Sequence, residues 1–217
     1  MGTAPRPSSD RRSRRTADTR ERLFRSAVEL FARKGFAETT VEDITNAADV
    51  GKGTFFNYFP SKEHILLAFG EMQLAKLQSA VDEARLNNTS MRAFYRSLGQ
   101  LMTAEPTRHP AVLRAVLQAF LSNSHVREGM LDLQTRVLAL HCQMIQLGQQ
   151  RGEIRDDLPP VEIAKVFRQT IFGTCLLWSL DGDGTLLSRV ECAFELLWNG
   201  FRPRNDSSVP LVVPMFW

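Results

Sequence analysis

Residues 51–63, GKGTFFNYFPSKE, place two lysines and several polar side chains among four aromatic rings. Lysine ammonium groups neutralise phosphates, and asparagine, threonine and tyrosine side chains hydrogen-bond to phosphate oxygens or base edges. Phe55 and Phe59 lie four residues apart, so a helix would bring both onto one face, where they could pack into a core. The side chains left for a nucleic acid are polar: Lys52, Thr54, Asn57 and Tyr58. The pattern favours a short helix that packs through its phenylalanines and contacts DNA through its other side.

No comparable pattern predicts catalysis or metal binding. A phosphate-binding loop would need a glycine at Asn46 and a hydroxyl side chain at Gly53. DGDGT, residues 181–185, begins like a calcium loop but has Leu186 in place of the glycine and Cys192 in place of the glutamate. The four histidines and three cysteines lack the spacing of metal ligands. We therefore expect no catalytic residue, no metal and no cofactor, and the protein is not predicted to be an enzyme.

Longer helices are predicted to hold this segment in place. The first begins near the capping residues Thr16 and Asp18, and its apolar residues recur every three or four positions. Gly35 stands where a left-handed residue would end that helix. The pair Thr40 and Asp43 then predicts the N-terminus of a second helix.

The next elements predict a helix-turn-helix. Residues 48–50 are interpreted as a tight turn and residues 52–58 as a second short helix, and Ser61 is expected to cap a fourth helix. Two short helices joined by a tight turn and braced by longer ones place the second short helix in the major groove of DNA.

The stretch from Phe31 to Leu66, FARKGFAETTVEDITNAADVGKGTFFNYFPSKEHIL, resembles the TetR family of bacterial transcriptional regulators. The matching order is helix end, Gly-Phe, Thr-Thr cap, turn, Gly-Thr, aromatic pair and Ser-Lys-Glu. The resemblance implies an all-helical homodimer with an N-terminal DNA-binding head and a larger domain that binds a small molecule and dimerises. It also implies a DNA face made of Thr40, Lys52, Gly53, Thr54, Asn57, Tyr58 and Lys62.

Three positions depart from the family pattern. Asp49 replaces the usual turn glycine, and aspartate tolerates left-handed geometry better than most residues. Gly51 replaces a frequent serine cap. Phe56 replaces a frequent tyrosine and so lacks a hydroxyl that could reach a phosphate, whereas Tyr58 keeps a hydroxyl nearby.

Helical periodicity continues to about residue 201 and predicts about nine helices in all. The fourth is expected to run from Lys62 to about Arg85. The helix around residues 126–147 is apolar over so wide an arc that we place it at the centre of the bundle. Candidate ligand-lining residues from the sixth to eighth helices are Gln118, His141, Phe172 and Trp178. A half-buried structural histidine is the alternative interpretation of His141.

The ninth helix carries a regular apolar stripe: Leu187, Val190, Phe194, Leu197 and Phe201, with Trp198 at its edge. Such a stripe fits either a seam within the chain or one half of a two-fold interface. The family resemblance favours the second, so we expect a homodimer in which these residues meet their counterparts.

Charge and composition fit a DNA-binding regulator. The net charge is +3 over 217 residues, but residues 1–62 hold 12 Lys/Arg against 8 Asp/Glu. A basic N-terminal end beside a neutral body suggests a polyanionic partner. No signal-peptide pattern and no long apolar run occur, and the odd cysteine count argues against a disulfide framework, so we expect a cytoplasmic protein without a membrane span.

The predicted organisation has four parts: a basic flexible arm (1–15), the helix-turn-helix domain (16–66), a ligand-binding and dimerisation domain (67–203) and a C-terminal tail (204–217). The leading hypothesis is a homodimeric repressor that leaves a palindromic operator on double-stranded DNA when a small apolar or amphipathic effector binds. The alternatives are an activator or ligand-independent regulator and, more remotely, a helical enzyme or interaction module.

Overall fold

The computed structural model describes residues 8–108 and 110–203, and this part of the chain forms nine helices and no strand. The predicted all-α class and helix number are confirmed. The start of the predicted arm, residues 1–7, and the tail, residues 204–217, lie outside the described residues. In chain order the helices are α1 (Ser8–Lys34), α2 (Val41–Ala47), α3 (Lys52–Phe56), α4 (Glu63–Leu86), α5 (Met91–Arg108), α6 (Pro110–Ser122), α7 (Ser124–Gln150), α8 (Pro160–Asp181) and α9 (Leu186–Phe201).

The first three helices form a small head whose core begins on the inner face of α1. Leu23, Ala27 and Phe31 are buried there at helical spacing. Gly35 ends the helix in the left-handed region, with φ +87°, and its N–H donates to the Phe31 carbonyl at 3.1 Å. Phe36 then folds back so that its ring centroid lies 5.0 Å from that of Phe31. The helix end predicted from Gly35 is thereby confirmed.

The start of α2 is fixed by a reciprocal pair of hydrogen bonds. The Asp43 N–H donates to Thr40 Oγ1 at 3.1 Å, and the Thr40 N–H donates to Asp43 Oδ2 at 2.8 Å. At the other end Ala48 is buried while Ala47 is exposed. Asp49 turns the chain with φ +51°, which a bulkier side chain would adopt only with strain. The α2–α3 turn therefore forms without the glycine that is usual there.

Three element boundaries differ from the sequence prediction. Helix α1 begins at Ser8, so the part of the chain predicted as arm overlaps it. Ser61 does not cap α4, which begins at Glu63; its hydroxyl instead contacts His64 Nδ1 at 3.1 Å. The sequence EPTRHP, residues 105–110, predicts a break between the fifth and sixth helices, but α5 continues through Pro106 to Arg108. The proline ring removes one helical hydrogen bond there without ending the helix.

Helix α4 leaves the head and packs along α7 through two reciprocal glycine sockets. A Cβ on Gly129 of α7 would lie 2.7 Å from a Leu67 methyl group on α4. A Cβ on Gly70 of α4 would lie 2.6 Å from a Leu133 methyl group on α7. Each leucine therefore occupies the space that a larger side chain opposite would need. The sockets fix the relative register of α4 and α7.

The remaining helices surround α7 and α9. Helix α7 packs on α4 and α8, and α9 packs on α5 and α8, so the predicted central position of α7 is consistent with its packing. Buried Arg155 anchors the end of α9: its N–H donates to the Phe201 carbonyl at 2.7 Å, and its side chain pairs with Asp157. None of the helices in the described ranges is long and apolar enough to cross a bilayer.

Candidate DNA-binding surface and effector core

The sequence predicts a packed side and a DNA-contacting side within residues 52–59, and the burial of these side chains follows that separation. Phe55 and Phe59 are buried and their ring centroids lie 5.8 Å apart. Tyr58 is half-buried beside them. Because the phenylalanines hold one side of α3 against the head, the opposite side of this short helix is fixed in orientation toward solvent.

The polar side of α3 is accessible. Lys52, Gly53 and Asn57 are exposed, and Thr54 is half-buried. Lys52 opens the helix and Asn57 is its C-cap residue, so the two side chains mark opposite ends of one short surface. An ammonium group can bind a phosphate, and a carboxamide can hydrogen-bond to a base edge. The two ends of this surface can therefore contact the same duplex.

Phe56, which is not among the predicted DNA-contact residues, is 49% exposed and meets Phe55 edge to face at 5.4 Å. A large exposed ring on this helix adds apolar surface that can contact a thymine methyl group or a deoxyribose. The sequence signal for this exposure is that adjacent residues of a helix point in different directions. With Phe55 and Phe59 on the packed side of α3, Phe56 is turned away from the core.

Thr40 has a structural role at the start of α2. Its hydroxyl donates to Asp43 Oδ2 at 2.8 Å and accepts the Asp43 N–H, and Lys34 Nζ donates to the same carboxylate oxygen at 2.6 Å. Hydrogen bonds from Lys34 first, and then from Thr40, hold the pKa of the Asp43 carboxyl well below its usual range. Thr40 is exposed and remains near the surface of the head, but its hydroxyl is already used in the cap.

The structure gives Lys62 a different role from the predicted phosphate contact. Its ammonium group donates three hydrogen bonds, to the carbonyl oxygens of Phe36 at 2.8 Å, Ala37 at 3.0 Å and Thr39 at 2.9 Å. It also lies 4.7 Å from the centroid of the Phe36 ring. An ammonium group has three donors and all three are used here. Lys62 therefore joins the start of α4 to the α1–α2 loop, and we no longer expect it to neutralise a phosphate.

A histidine pair joins the start of α4 to the start of α7. His64 Nε2 and His125 Nε2 lie 3.0 Å apart, and the Ser61 hydroxyl contacts the other nitrogen of His64. Further along the same seam, the Arg136 guanidinium donates to both Glu71 carboxylate oxygens at 2.7 and 3.2 Å. The orientation of the head relative to α7 is thus set by polar contacts as well as by the glycine sockets.

The four predicted ligand-lining residues do not meet in one cavity. Gln118 is exposed on α6 and Phe172 is 49% exposed on α8, so neither lines the interior of the chain. Trp178 is buried, but its Nε1–H donates to the Gly184 carbonyl at 3.1 Å and its ring packs against the start of α9. His141 alone lies deep between α5, α7 and α8, where it contacts Tyr95 and Phe167. The prediction that Gln118 and Phe172 line the core is wrong because helix rotation turns them outward.

His141 belongs to a buried aromatic cluster. Tyr95 lies beside it, with ring centroids 5.9 Å apart, and Phe167 contacts both rings. Burial first, and the charge of Arg168 second, lower the pKa of His141 to about 4. The imidazole is therefore neutral at neutral pH.

A groove of about 370 Å³ lies elsewhere, between α4 and α7. It is polar and is lined by Arg85, Gln143, Gln146, Leu147, Gln150 and Arg151.

The predicted dimer stripe on α9 faces the interior of its own chain. Val190, Phe194 and Phe201 are at most 9% exposed in the single chain, and Leu187, Leu197 and Trp198 are half-buried. Helix α5 packs on this side of α9 and covers the stripe. The prediction that Val190, Phe194 and Phe201 meet a second copy is wrong, because their own chain already removes them from water.

A different apolar surface remains exposed on the last two helices. Four side chains of α8 and one of α9 form what we call the α8–α9 face: Val166, Phe172, Leu177, Leu180 and Leu196, exposed by 46–72%. Gly173 lies among them, and a Cβ on it would meet nothing within 4 Å. Large apolar side chains left exposed on two neighbouring helices make this face a candidate interaction site.

Comparison with known proteins identifies the architecture. A model of the bacterial regulatory proteins of the tetR family matches residues 23–69. The transcriptional regulator TcmR of Streptomyces glaucescens is 31% identical over 207 residues, which cover 88% of this chain and 86% of TcmR. The chain belongs to the TetR family. It is a DNA-binding transcriptional regulator of the helix-turn-helix type.

Other members of the TetR family resemble the chain over most of its length. The regulator EthR of Mycolicibacterium smegmatis is 29% identical over 168 residues, or 73% of this chain and 74% of EthR. The crystal structure of FadR from Thermus thermophilus, a TetR family repressor in complex with lauroyl-CoA, is 28% identical with a TM-score of 0.65. That alignment covers 88% of this chain and 98% of FadR. The similarity to a TetR family repressor therefore includes both the head and the larger helical domain.

Proposed function

We propose that the protein is a homodimeric repressor that leaves a palindromic operator when a small apolar or amphipathic effector binds in its larger domain. The observation that carries the proposal is the α3 surface, where buried Phe55 and Phe59 orient exposed Lys52 and Asn57 toward solvent. We assign DNA binding to residues 16–66, extended by the earlier part of α1, and effector binding and dimerisation to residues 67–203.

Within the head, we assign direct DNA contact to Lys52, Gly53, Thr54, Asn57 and Tyr58. Lys52 is placed to neutralise a phosphate, and Asn57 is placed to read a base edge. Gly53 is exposed and carries no side chain, so the backbone can approach the duplex closely there. Thr40 and Lys62 support this surface by fixing the start of α2 and the α1–α2 loop.

The α8–α9 face supports dimerisation. Its five large apolar side chains are exposed in the single chain, and a two-fold partner would cover them with the same surface. Gly173 leaves room for two α8 helices to approach closely. A stable interface of this type buries more than about 1,000 Å² in total and places two heads on half-sites roughly 34–36 Å apart or a multiple of that distance.

The packing of α4 supports communication between the two domains. Helix α4 begins in the head, and it contacts both α5 and α7 of the larger domain. The glycine sockets and the His64–His125 contact leave little freedom for α4 to slide along α7. An effector that binds one arrangement of α5 and α7 more tightly than another would increase the population of that arrangement. The position of the DNA-binding heads would change with it.

One structural relative supports an amphipathic effector by similarity: Thermus thermophilus FadR is a repressor in complex with lauroyl-CoA. In this chain the interior of the larger domain is built from apolar and aromatic side chains, which favours a ligand with a large apolar part. Because its target is chromosomal DNA, we place the regulator in the cytoplasm.

The test uses the purified full chain and DNA from upstream of its own gene. Light scattering should give two copies per particle, and fluorescence anisotropy should show binding that decreases when members of a panel of acyl-CoAs, fatty acids and aromatic compounds are added. Transcription in vitro from the same promoter should fall with the protein and recover with the compound that releases it. Increased transcription on protein addition would instead establish the activator alternative, and binding unaffected by any compound would support a ligand-independent regulator.

A further inference from the structure

The aromatic cluster of the larger domain brings together side chains from four helices. Phe94 and Tyr95 come from α5, His141 from α7, Phe167 from α8 and Phe194 from α9. The Tyr95 ring lies within 4.6–6.4 Å of the other four, measured between ring centroids. All five side chains are at most 6% exposed. The cluster is therefore the point at which these four helices meet.

Two polar atoms in this cluster have no hydrogen-bond partner. Among the described residues, three buried side-chain polar atoms are unpaired, and two of them are the Tyr95 hydroxyl and His141 Nδ1. Burying a polar group without a hydrogen-bond partner destabilises the folded state, so proteins rarely retain such groups without a use for them. Trp178, another buried residue of the larger domain, has its polar group paired: its N–H donates to the Gly184 carbonyl.

The Tyr95 and His141 rings lie nearly parallel, and we call the space between them the Tyr95–His141 slot. Their planes are 14° from parallel and their centroids are 5.9 Å apart. A planar molecule between two rings needs a stacking distance of about 3.5 Å on each side, or about 7 Å in total. The centroid distance is shorter than this, so α5 and α7 must move apart to admit an aromatic ring between Tyr95 and His141.

We propose that the Tyr95–His141 slot is the effector site and that it binds a neutral, planar aromatic molecule carrying a hydroxyl group. The inference rests on the effector-binding function proposed above and specifies the ligand class. A hydroxyl group can accept the proton of the Tyr95 hydroxyl and can donate to, or accept from, His141 Nδ1 in either tautomer. An alkyl chain would bury similar apolar area but would leave both polar atoms unpaired.

The surroundings favour a neutral ligand. Burial raises the pKa of the Tyr95 phenol and lowers that of His141, so both side chains are uncharged at neutral pH. Arg168, whose charge acts on His141, donates from its guanidinium to the Gln134 backbone carbonyl at 3.4 Å and side-chain carbonyl at 3.2 Å. A charged ligand would lose its hydration in the slot without a free partner of opposite charge.

The site would also act on the head. Helix α4 packs on both α5 and α7, the two helices that carry Tyr95 and His141. Separation of these helices by a ligand would change the surface on which α4 rests. The slot is thus placed where occupation can move the DNA-binding head.

The experiment compares 2-naphthol with naphthalene by isothermal titration calorimetry on the DNA-free full chain. The two compounds present the same rings and differ only in the hydroxyl group. We expect the wild-type protein to bind 2-naphthol about tenfold more tightly than naphthalene, the effect of about one buried hydrogen bond. Tyr95→Phe should abolish most of this difference while leaving naphthalene affinity unchanged, and His141→Phe should reduce it.

Tyr58→Phe makes the same chemical change in the head and is the matched control for ligand affinity on the DNA-free chain alone, since Tyr58 is assigned to the DNA-contact surface. Tyr95→Phe is also expected to fold as well as the wild type, because it removes an unpaired polar atom without changing the ring. Equal affinity for the two compounds in the wild type, no binding of either at its solubility limit, or an unchanged preference in Tyr95→Phe would overturn the inference. DNA binding is measured separately, so hydroxyl-dependent binding that fails to release DNA would refute the proposed effector mechanism and leave the ligand site intact.

Discussion

Replacing Lys62 with methionine separates a structural role from a DNA contact. Methionine keeps most of the apolar stem but removes the ammonium group and its bonds to Phe36, Ala37 and Thr39. A hydrogen bond to a charged group contributes about 1.5–3 kcal/mol when it is buried, and the cation–ring contact adds about 0.5–1 kcal/mol.

The net loss is smaller than the sum of these values because the site is only partly buried. The bond to Ala37 is exposed, and water can replace the ammonium group at the carbonyl oxygens once it is removed. Counting each bond at about 1 kcal/mol, we expect Lys62→Met to lower the free energy of unfolding by about 2–4 kcal/mol. The loss should appear as a lower urea midpoint with an unchanged m-value.

Lys52→Met is the matched control, since it removes the same charge from the exposed end of α3. Urea unfolding followed by circular dichroism should show stability within about 0.5 kcal/mol of the wild type. Fluorescence anisotropy over a range of salt concentrations should give a slope of log affinity against log salt that is smaller by about one for Lys52→Met. For Lys62→Met, measured where the protein is folded, the slope should match that of the wild type. A stable Lys62→Met protein whose salt slope falls by about one would refute this reasoning and restore Lys62 as a phosphate contact.

Three further predictions concern the DNA face, the core and the α8–α9 face. Asn57→Ala should weaken specific binding by about 1–3 kcal/mol but leave random-sequence binding unchanged in competition assays, and an equal loss on both DNAs would assign Asn57 to backbone positioning. Because the pKa of His141 is lowered to about 4, its contribution to stability is fully present above about pH 6.5 and is lost as pH falls toward 4, by roughly 3 kcal/mol. The urea midpoint of His141→Phe should therefore fall less than that of the wild type over this range, and identical pH profiles would contradict the assignment. Leu180→Asp, at an exposed position, should give a folded monomer by light scattering and circular dichroism, whereas a persistent dimer would place the interface elsewhere.

The helices of the head could be predicted from sequence because their signals are local. Gly35 ends α1, and the Thr40–Asp43 pair begins α2, through contacts within four residues. The four-residue spacing of Phe55 and Phe59 likewise identified the packed side of α3. Each of these features depends only on residues that are close together in the sequence.

The role of Lys62 could not be predicted in the same way, because its three acceptors lie 23 to 26 residues earlier in the chain. A lysine that follows a helix-turn-helix can either bind a phosphate of the DNA or donate hydrogen bonds to backbone carbonyl groups of its own chain. Only the tertiary position of the α1–α2 loop separates the two.

Helix rotation explains the errors in the larger domain. The α9 stripe through Val190 and Phe194 is as regular as predicted, but α5 covers it within the same chain. Helix α8 is apolar on two sides, and periodicity alone does not tell which side faces the interior. Phe172 therefore lies outside and Trp178 inside, although the sequence pattern predicts one pocket for both.

The central claim is that the exposed side of α3 reads a specific DNA sequence, and one measurement tests it most directly. Fluorescence anisotropy would compare the wild type and Asn57→Ala on DNA from upstream of the protein's own gene and on a shuffled duplex of the same composition, at one physiological salt concentration. We expect the wild type to prefer the upstream DNA by about 10³-fold or more, and Asn57→Ala to lose part of that preference. Equal affinity of the wild type for both duplexes would contradict the account.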